Sequence, residues 1–202
     1  MNTQIENLFP IKQPSLEKIQ FSGINELFSQ FPQLSETGTE EQYSEYLKTI
    51  FPESTVTDIV FHATDKQFES FNKKYIGTST DKGSYGKGFY FGNKKRNFGE
   101  NVMNVLIHLK NPIMTDPVKF YEEKNGKPNF NSIEAYENYD GNYIEPTPEI
   151  LTQFLINKGF DGVAFQREEN SDTEYVAFEP EQIHILGSAS DIKKFKEFVS
   201  SK

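Results

Sequence analysis

The sequence predicts an α+β domain built on a mostly antiparallel β-sheet. Several short segments rich in β-branched and aromatic residues are separated by turn residues, which is typical of strands. Few helical segments lie between these strands, and that pattern favours an antiparallel sheet with flanking helices. The 202-residue chain is 35% hydrophobic and contains 19 Phe and 10 Tyr, so it can form one domain with a sizeable core.

Composition excludes several classes of function. The net charge of −9 disfavours non-specific binding to nucleic acid or to anionic membranes, because phosphate-rich surfaces would repel the chain. The absence of cysteine excludes disulfides, thiolate nucleophiles and cysteine-based metal sites. No basic leader precedes an apolar run, and no stretch approaches the roughly 18 apolar residues of a membrane span. We therefore expect a cytoplasmic protein without membrane contact, which could reach another cell only by a route that needs no such signal.

The N-terminal part predicts irregular chain followed by helices. Residues 1–20 contain two prolines and a mixed polar pattern and are expected to be irregular. A short amphipathic helix follows and stops at Pro32. Its apolar stripe consists of Ile24, Leu27, Phe28 and Phe31. Thr39 and Gln42 form a capping box for a second helix, which ends before Pro52.

Strand signals begin after these helices. Residues 56–61 form the first strand and run directly into His62. The stretch 82–92, KGSYGKGFYFG, places four glycines among four aromatic residues and leads into a strand that begins at Phe89. On its own this stretch also fits a hairpin turn that feeds an edge strand. The next strand covers residues 102–109.

The second half of the chain mixes helix and strand signals. Residues 115–146 are polar and tyrosine-rich and predict a long loop of the kind that often carries partner contacts. Thr147 and Pro148 begin a helix that ends at Gly159. The strands predicted after it are residues 162–165, 173–178 and 183–186.

The chain is expected to consist of three parts. Residues 1–57 form an N-terminal helical extension, residues 58–188 form the core, and residues 189–202 form a C-terminal helix packed on that core. Ser190 is predicted to cap this last helix.

Glu174 is the residue least expected in a purely structural strand. Alternation along the strand puts its carboxylate on the same face as Val176 and Phe178, and a carboxylate among apolar side chains needs a partner or a task. A lysine partner or a position on an exposed edge would also explain it. His62 and Tyr90 are the other strand residues whose chemistry suggests a site.

Three motifs in a fixed order resemble those of a known enzyme class. HAT at 62–64, GKGFYF at 86–91 and EYVAF at 174–178 resemble the histidine, tyrosine and glutamate motifs of ADP-ribosyltransferases of the diphtheria-toxin and poly(ADP-ribose) polymerase type. The runs DIVFHATDKQFESF, LKNP, GFDGVAF and EYVAFEPEQI are similar to the small ADP-ribosyltransferase domains of bacterial, phage and mobile-element polyvalent proteins. The resemblance covers about residues 58–186.

The resemblance implies both a fold and a reaction. The fold is a split antiparallel β-sheet core with flanking helices, and the enzyme uses NAD as its substrate without a metal. It would break the bond between nicotinamide and ribose and transfer ADP-ribose to an acceptor macromolecule. A protein acceptor is favoured over nucleic acid because the chain is acidic, and acceptor contacts are expected in residues 120–143. A toxin or effector, a phage weapon and a host defence protein all fit such a domain.

The resemblance also assigns roles to particular residues. Glu174 would accept a hydrogen bond from the ribose 2′-hydroxyl and stabilise an oxocarbenium-like transition state. Tyr90 would stack on the nicotinamide ring. His62 would bind the adenosine ribose, and the backbone of Ala63, beside Thr64, would hold the carboxamide. Because nicotinamide is already cationic in NAD, it needs no proton to leave, and one carboxylate can suffice where glycosidases usually need two.

Further residues are expected at the same site. Gly88 lies in the glycine-rich approach to Tyr90, and Phe98 is the candidate for a second stacking ring. Residues 94–96, two lysines and an arginine, either meet the pyrophosphate of NAD or form a solvated basic loop. Ala63 stands where the family usually has glycine, and it adds a methyl group at the pocket wall.

Other functions would use the same residues differently. Water as the acceptor would make the chain an NAD glycohydrolase, and a domain that only holds NAD, ADP-ribose or a protein would be a binding module. Ser79 and the pair Asp172 and Glu174 resemble the arginine-directed toxin branch, but His62 stands where that branch expects an arginine. The three histidines lack metal-ligand spacing, and the sequence contains no Walker loop or nucleophile elbow.

Overall fold

The computed structural model describes residues 21–78, 83–96, 99–127, 143–168 and 171–202. The strands in this part of the chain are Val60–Thr64 (β1), Phe89–Gly92 (β2), Asn101–Ile107 (β3), Gly162–Gln166 (β4), Thr173–Ala177 (β5) and Ile183–Ile185 (β6). The helices are Ile24–Gln30 (α1), Pro32–Thr37 (α2), Glu40–Ile50 (α3), Pro117–Asn125 (α4), Pro148–Asn157 (α5) and Ala189–Ser200 (α6). The predicted irregular lead-in, residues 1–20, lies outside the described residues.

The strands form one antiparallel sheet in the order β4-β5-β2-β1-β3-β6. The register of β1 and β2 consists of the single pair Phe61 and Gly92, whereas β1 and β3 share five pairs. Two three-stranded halves therefore meet at one residue pair, and this seam is where the sheet splits. The predicted α+β fold with a split antiparallel sheet and flanking helices is confirmed.

Helices from both ends of the chain cover one face of the β1-β3-β6 half. The predicted capping box of α3 is present, since Gln42 N donates to Thr39 Oγ1 and Thr39 N donates to Gln42 Oε1. The buried side chains of this cluster include Leu27, Leu34, Tyr43, Leu47, Leu106 and Phe195. The N-terminal helices and the C-terminal helix thus share one hydrophobic core.

Helices α4 and α5 cover the same face of the β4-β5-β2 half. Directly paired residues of antiparallel strands lie on one face, which places Tyr90, Val163 and Val176 together beneath these helices. The buried residues there include Tyr121, Leu151, Leu155, Val163 and Val176. The opposite face of the sheet carries a third cluster that includes Val60, Phe89, Phe91, Val105 and Ile107.

The prediction of a long loop over residues 115–146 is wrong at its start, where α4 forms. The Asp116 carboxylate accepts from the backbone of Val118 and Lys119, and Gly126 ends the helix in the left-handed conformation. Tyr121 is buried in the core. Acceptor contacts are expected in residues 120–143, but a deletion of this segment would also remove the buried Tyr121 and so would not test those contacts alone.

Other helix and strand boundaries differ from the predicted ones by a few residues. The last helix is capped by Ser188, whose Oγ accepts from Asp191 N at 3.2 Å, so the prediction of Ser190 as the cap is wrong. β1 begins at Val60, and the chain before it contacts the segment after β3 through the bond from Thr55 N to Leu109 O at 2.7 Å. Pro32 ends α1 as predicted and is also the first residue of α2.

Across the described ranges, each helix is too short or too polar to span a membrane.

Candidate active site

Glu174 lies on an interior strand and faces a cleft. β5 is flanked by β4 and β2, and Glu174 pairs with Phe165 on one side and Gly92 on the other. Its side chain is 31% exposed, and its Oε1 accepts a hydrogen bond of 2.9 Å from Arg96 Nη1. An exposed edge does not explain this carboxylate, and the cation that it pairs with is an arginine, not a lysine.

The cleft beside Glu174 has a volume of about 240 Å³. Its lining consists of Tyr85, Arg96, Phe165, Arg167, Ser171, Asp172 and Glu174. The rings of Tyr85 and Phe165 pack edge to face at 5.3 Å and form an apolar wall. Arg167 donates to the hydroxyl of Tyr85. The cleft therefore combines one apolar wall with two guanidinium and two carboxylate groups.

Two residues that line the cleft, Arg167 and Tyr85, are not among the site residues predicted from the sequence. Arg167 follows β4 in a polar turn, where no pattern distinguishes it from a solvated arginine. Tyr85 is one of the aromatic residues of the glycine-rich stretch, but its spacing alone does not show that it would reach the cleft.

Tyr90 shares a face of the sheet with Glu174. It pairs with Val176, two residues along β5 from Glu174. Its hydroxyl donates to Gly86 O at 2.6 Å and accepts from Tyr85 N at 3.0 Å. These bonds fix both the orientation of the ring and the shape of the glycine turn before it.

Helix α5 holds the same glycine turn from the other side. Lys87 N donates to Thr152 Oγ1 at 2.7 Å, and Thr152 Oγ1 donates to Lys87 O at 3.2 Å. Gly86 has a φ of 113°, and a Cβ there would lie 2.7 Å from Thr152 Oγ1. Only glycine fits this position. No pattern in the sequence indicates that Thr152 contacts this turn.

His62 contacts Tyr90 through the backbone. Its Nδ1 lies 2.8 Å from Tyr90 O, and its ring packs against Phe68, Phe71 and Phe91 with centroids 6.1, 5.0 and 5.6 Å away. Burial lowers the pKa of His62, and the hydrogen bond to the Tyr90 carbonyl opposes this shift more weakly. The ring lies with the third core cluster, on the face opposite to Tyr90 and Glu174. The structure thus brings these three residues to the seam but does not place their side chains in one cavity.

Three of the remaining predicted residues lie around the seam. Ala63 and Thr64 follow the single pair that joins β1 to β2 and are partly exposed. Gly88 is buried, and a Cβ there would lie 2.5 Å from Val176 Cγ1, so its hydrogen faces β5. Phe98 lies outside the described residues, and so does Ser79 of the arginine-directed alternative.

The basic loop after β2 is engaged in ion pairs. Lys94 pairs with Asp172 at 2.8 Å, and Lys95 pairs with Glu26 of α1. Arg96 approaches both carboxylates of the Asp172 and Glu174 pair, with Nε 3.5 Å from Asp172 Oδ2. The Asp172 pKa is lowered, chiefly by its hydrogen bond with Lys94.

The histidines are dispersed. His108 stacks on Phe51 with ring centroids 4.9 Å apart, and His184 donates to buried Asp191. Over the part of the chain that the structure describes, no cluster of three or more His, Asp or Glu side chains could hold a metal ion.

Comparison with known proteins identifies the family. The family model described as ADP-ribosyltransferase in polyvalent proteins matches residues 57–191, which is more than half of the chain. This match confirms the resemblance of residues 58–186 and indicates a general function in ADP-ribosyl transfer. No curated protein matches the chain.

Proposed function

The chain belongs to the family of ADP-ribosyltransferase domains of polyvalent proteins, and we propose that it is a mono-ADP-ribosyltransferase that uses NAD. It would cleave the bond between nicotinamide and ribose and transfer ADP-ribose to an acceptor, with a protein side chain favoured because the chain is acidic. The observation that carries this proposal is the carboxylate of Glu174, which an interior strand presents to a cleft of about 240 Å³.

The chemistry needs one well-placed carboxylate. As the C1′–N bond breaks, its electron pair goes to the nicotinamide, which leaves neutral, and positive charge develops on the ribose. A Glu174 oxygen that accepts from the ribose 2′-hydroxyl would stabilise this charge. The acceptor nucleophile then forms the new bond to C1′, and its proton passes to Glu174 or to water.

Tyr90 and His62 would support this reaction from the seam. The hydroxyl of Tyr90 is held by Tyr85 N and Gly86 O, so the ring that would stack on nicotinamide has a defined orientation. A neutral His62 that donates from Nδ1 to Tyr90 O keeps Nε2 as an acceptor for a ribose hydroxyl of the adenosine. The strand beyond the single β1–β2 pair would offer the Ala63 backbone to the carboxamide.

The cleft would hold only part of NAD. Its volume of about 240 Å³ is below the roughly 300–1,000 Å³ of pockets that enclose a drug-sized ligand. The adenosine would therefore extend from the cleft past the seam, where Thr64 and Gly88 also lie.

The chain would divide as the sequence suggests, with a core at residues 58–188, an extension at 1–57 and a final helix at 189–202. The shared cluster of α1, α2, α3 and α6 supports a single helical layer made from both ends of the chain.

A binding module is the second candidate. Arg96 satisfies Oε1 of Glu174 without any ligand, so the cost of placing this carboxylate does not by itself require catalysis. Such a module would bind NAD or ADP-ribose and release no nicotinamide. An NAD glycohydrolase would use the same site with water as the acceptor.

Nicotinamide release from NAD, followed by chromatography, tests the proposal. The wild type is compared with Glu174→Gln, in the presence and absence of bacterial lysate as a source of acceptor. We expect release that the lysate stimulates and that Glu174→Gln lowers by about 100-fold or more, the scale for losing a transition-state charge contact.

The matched control is Glu45→Gln, which removes an exposed carboxylate paired with Lys202 and should leave release unchanged. Release without stimulation by lysate would favour the glycohydrolase. NAD binding without release would favour the binding module.

A further inference from the structure

The guanidinium of Arg96 contacts two carboxylates at the start of β5. Its Nη1 donates to Glu174 Oε1 at 2.9 Å, and its Nε lies 3.5 Å from Asp172 Oδ2. The Arg96 and Glu174 side chains are 32% and 31% exposed, and both line the cleft. A planar guanidinium that bridges two carboxylates restricts the orientation of both.

The backbone that carries Arg96 is itself fixed to β5. Asn93 N donates to Thr173 O at 3.2 Å, and Thr173 N donates to Asn93 Oδ1 at 3.1 Å. Lys94 adds an ion pair of 2.8 Å to Asp172. Asn93 and Lys94, which both precede Arg96 in the loop, therefore join the loop to the start of β5 and hold the guanidinium close to Glu174.

The contact occupies only one oxygen of Glu174. The bond goes to Oε1, and none of the described residues donates to Oε2. Because Lys94 pairs with Asp172, the four side chains of Lys94, Arg96, Asp172 and Glu174 are neutral as a group. A cation that develops within reach of Oε2 would still be attracted to this oxygen at short range.

We propose that Arg96 is a positioning residue that holds Glu174 by Oε1 and presents Oε2 to the ribose 2′-hydroxyl of NAD. This inference rests on the proposed transferase or hydrolase activity and concerns the step at which the nicotinamide bond breaks. Without the guanidinium, the Glu174 side chain samples several rotamers, and its carboxylate meets the ribose less often. The rate of bond cleavage then falls while NAD still binds.

Steady-state nicotinamide release by Arg96→Ala, Arg96→Lys and Arg167→Ala tests this role. We expect Arg96→Ala to lower kcat by about 10- to 100-fold, the scale of a displaced reacting group, with KM for NAD changed by less than about threefold. Arg96→Lys should have a kcat between those of Arg96→Ala and the wild type, because lysine keeps the positive charge but lacks the planar guanidinium that bonds two oxygens at once. Arg167→Ala removes the other guanidinium of the cleft, which donates a hydrogen bond to Tyr85 and interacts with Glu174 through its charge at longer range, and should act mainly on KM.

Chemical rescue separates positioning from folding. Millimolar guanidinium should restore kcat to Arg96→Ala but not to Glu174→Gln, and urea unfolding should show that both variants are folded. Lys110→Ala, which breaks an exposed pair with Glu53 far from the cleft, should keep the wild-type kcat.

The outcomes distinguish this inference from the proposed function. If the wild type releases nicotinamide and Arg96→Ala keeps or raises kcat, the positioning role is wrong while the activity stands. If Arg96→Ala lowers kcat, but neither the Arg96→Lys substitution nor added guanidinium recovers any of the lost kcat, the positioning role is also wrong. If the wild type releases none, both proposals fail together.

Discussion

The imidazole of His62 donates from Nδ1 to the backbone carbonyl of Tyr90 at 2.8 Å, across the seam where the two halves of the sheet meet. A carbonyl oxygen has no proton to give, so Nδ1 carries the ring proton. Burial lowers the pKa of this histidine, and the folded state therefore favours the neutral ring. The bond joins the two strands just beyond their single ladder pair.

This relationship predicts a loss of stability at acidic pH. Because the folded pKa of His62 lies below its ordinary value of 6.5, the unfolded chain takes up this proton first, and stability falls as pH decreases below about 6.5. His62→Asn, whose amide can donate to Tyr90 O, should weaken this dependence. Urea unfolding at about pH 7.5 and about pH 5.5 measures it.

His108 has a lowered pKa as well, chiefly through burial, and adds a dependence of the same sign. Urea unfolding of a His108→Gln variant at the same two pH values measures how much of the pH dependence of stability comes from His108. If wild type and His62→Asn lose the same stability between the two pH values, the titration does not belong to His62.

The hydroxyl of Tyr90 is predicted to order the glycine turn. Tyr90→Phe keeps the ring but leaves Tyr85 N and Gly86 O without this partner. We expect a loss of about 1–3 kcal/mol in the free energy of unfolding, together with a higher KM for NAD. Tyr90→Ala should in addition lower kcat, since it removes the ring.

Tyr75→Phe, at a side chain that is 59% exposed, is the matched control for removing a tyrosine hydroxyl. A Tyr90→Phe variant with wild-type stability and KM would show that the hydroxyl does not order the turn.

Sequence patterns predicted the elements that depend on local chemistry. The Thr39 and Gln42 capping box and the Thr147 cap are local hydrogen-bonding motifs, and each was found where the residues indicated. The alternation of residues 173–178 correctly put Glu174 on the face of Val176. The α4 helix was also signalled, by Asp116 before Pro117 and by Gly126 at its end, but the polar tyrosine-rich composition obscured that signal.

The cleft could not be predicted because its lining comes from distant segments. Arg96 follows β2, Arg167 follows β4, and Glu174 lies on β5, so their proximity depends on the strand order. Likewise, the contact of Thr152 with Lys87 joins residues 65 positions apart. Spacing within a segment carries no information about such pairs.

Gly88 is predicted to be required for packing of β2 against β5. A Cβ at this position would lie 2.5 Å from Val176 Cγ1 and 2.6 Å from Ala177 O. Gly88→Ala should therefore lower the free energy of unfolding by roughly 1–3 kcal/mol, as expected for an overpacked core.

Gly92→Ala is the control, since its Cβ would meet Lys94 O at an ordinary 3.4 Å. Urea unfolding of both variants makes the comparison. Equal stability of the two would mean that β5 shifts at little cost to admit the methyl group at Gly88.

A buried carboxylate joins the helices from both ends of the chain to the sheet. Asp191 is fully buried, and its Oδ2 accepts from Tyr43 OH at 2.6 Å and from Gly187 N at 2.8 Å. Its Oδ1 accepts from Tyr46 OH at 3.1 Å and from His184 Nε2 at 2.7 Å. Burial, followed by the charge of Asp191, raises the pKa of Tyr43 and keeps its hydroxyl protonated as a donor.

Asp191→Asn is predicted to destabilise this junction strongly. The amide replaces one acceptor oxygen with a donor, so two of the four donors lose their partner and face an N–H group instead. We expect a loss of roughly 3 kcal/mol in urea unfolding and faster proteolysis within residues 21–50, which form the layer held by Tyr43 and Tyr46. Asp116→Asn is the matched control, because asparagine caps a helix as well as aspartate does, and it should cost little. A stable Asp191→Asn variant with unchanged proteolysis would show that apolar packing alone holds the N-terminal helices in place.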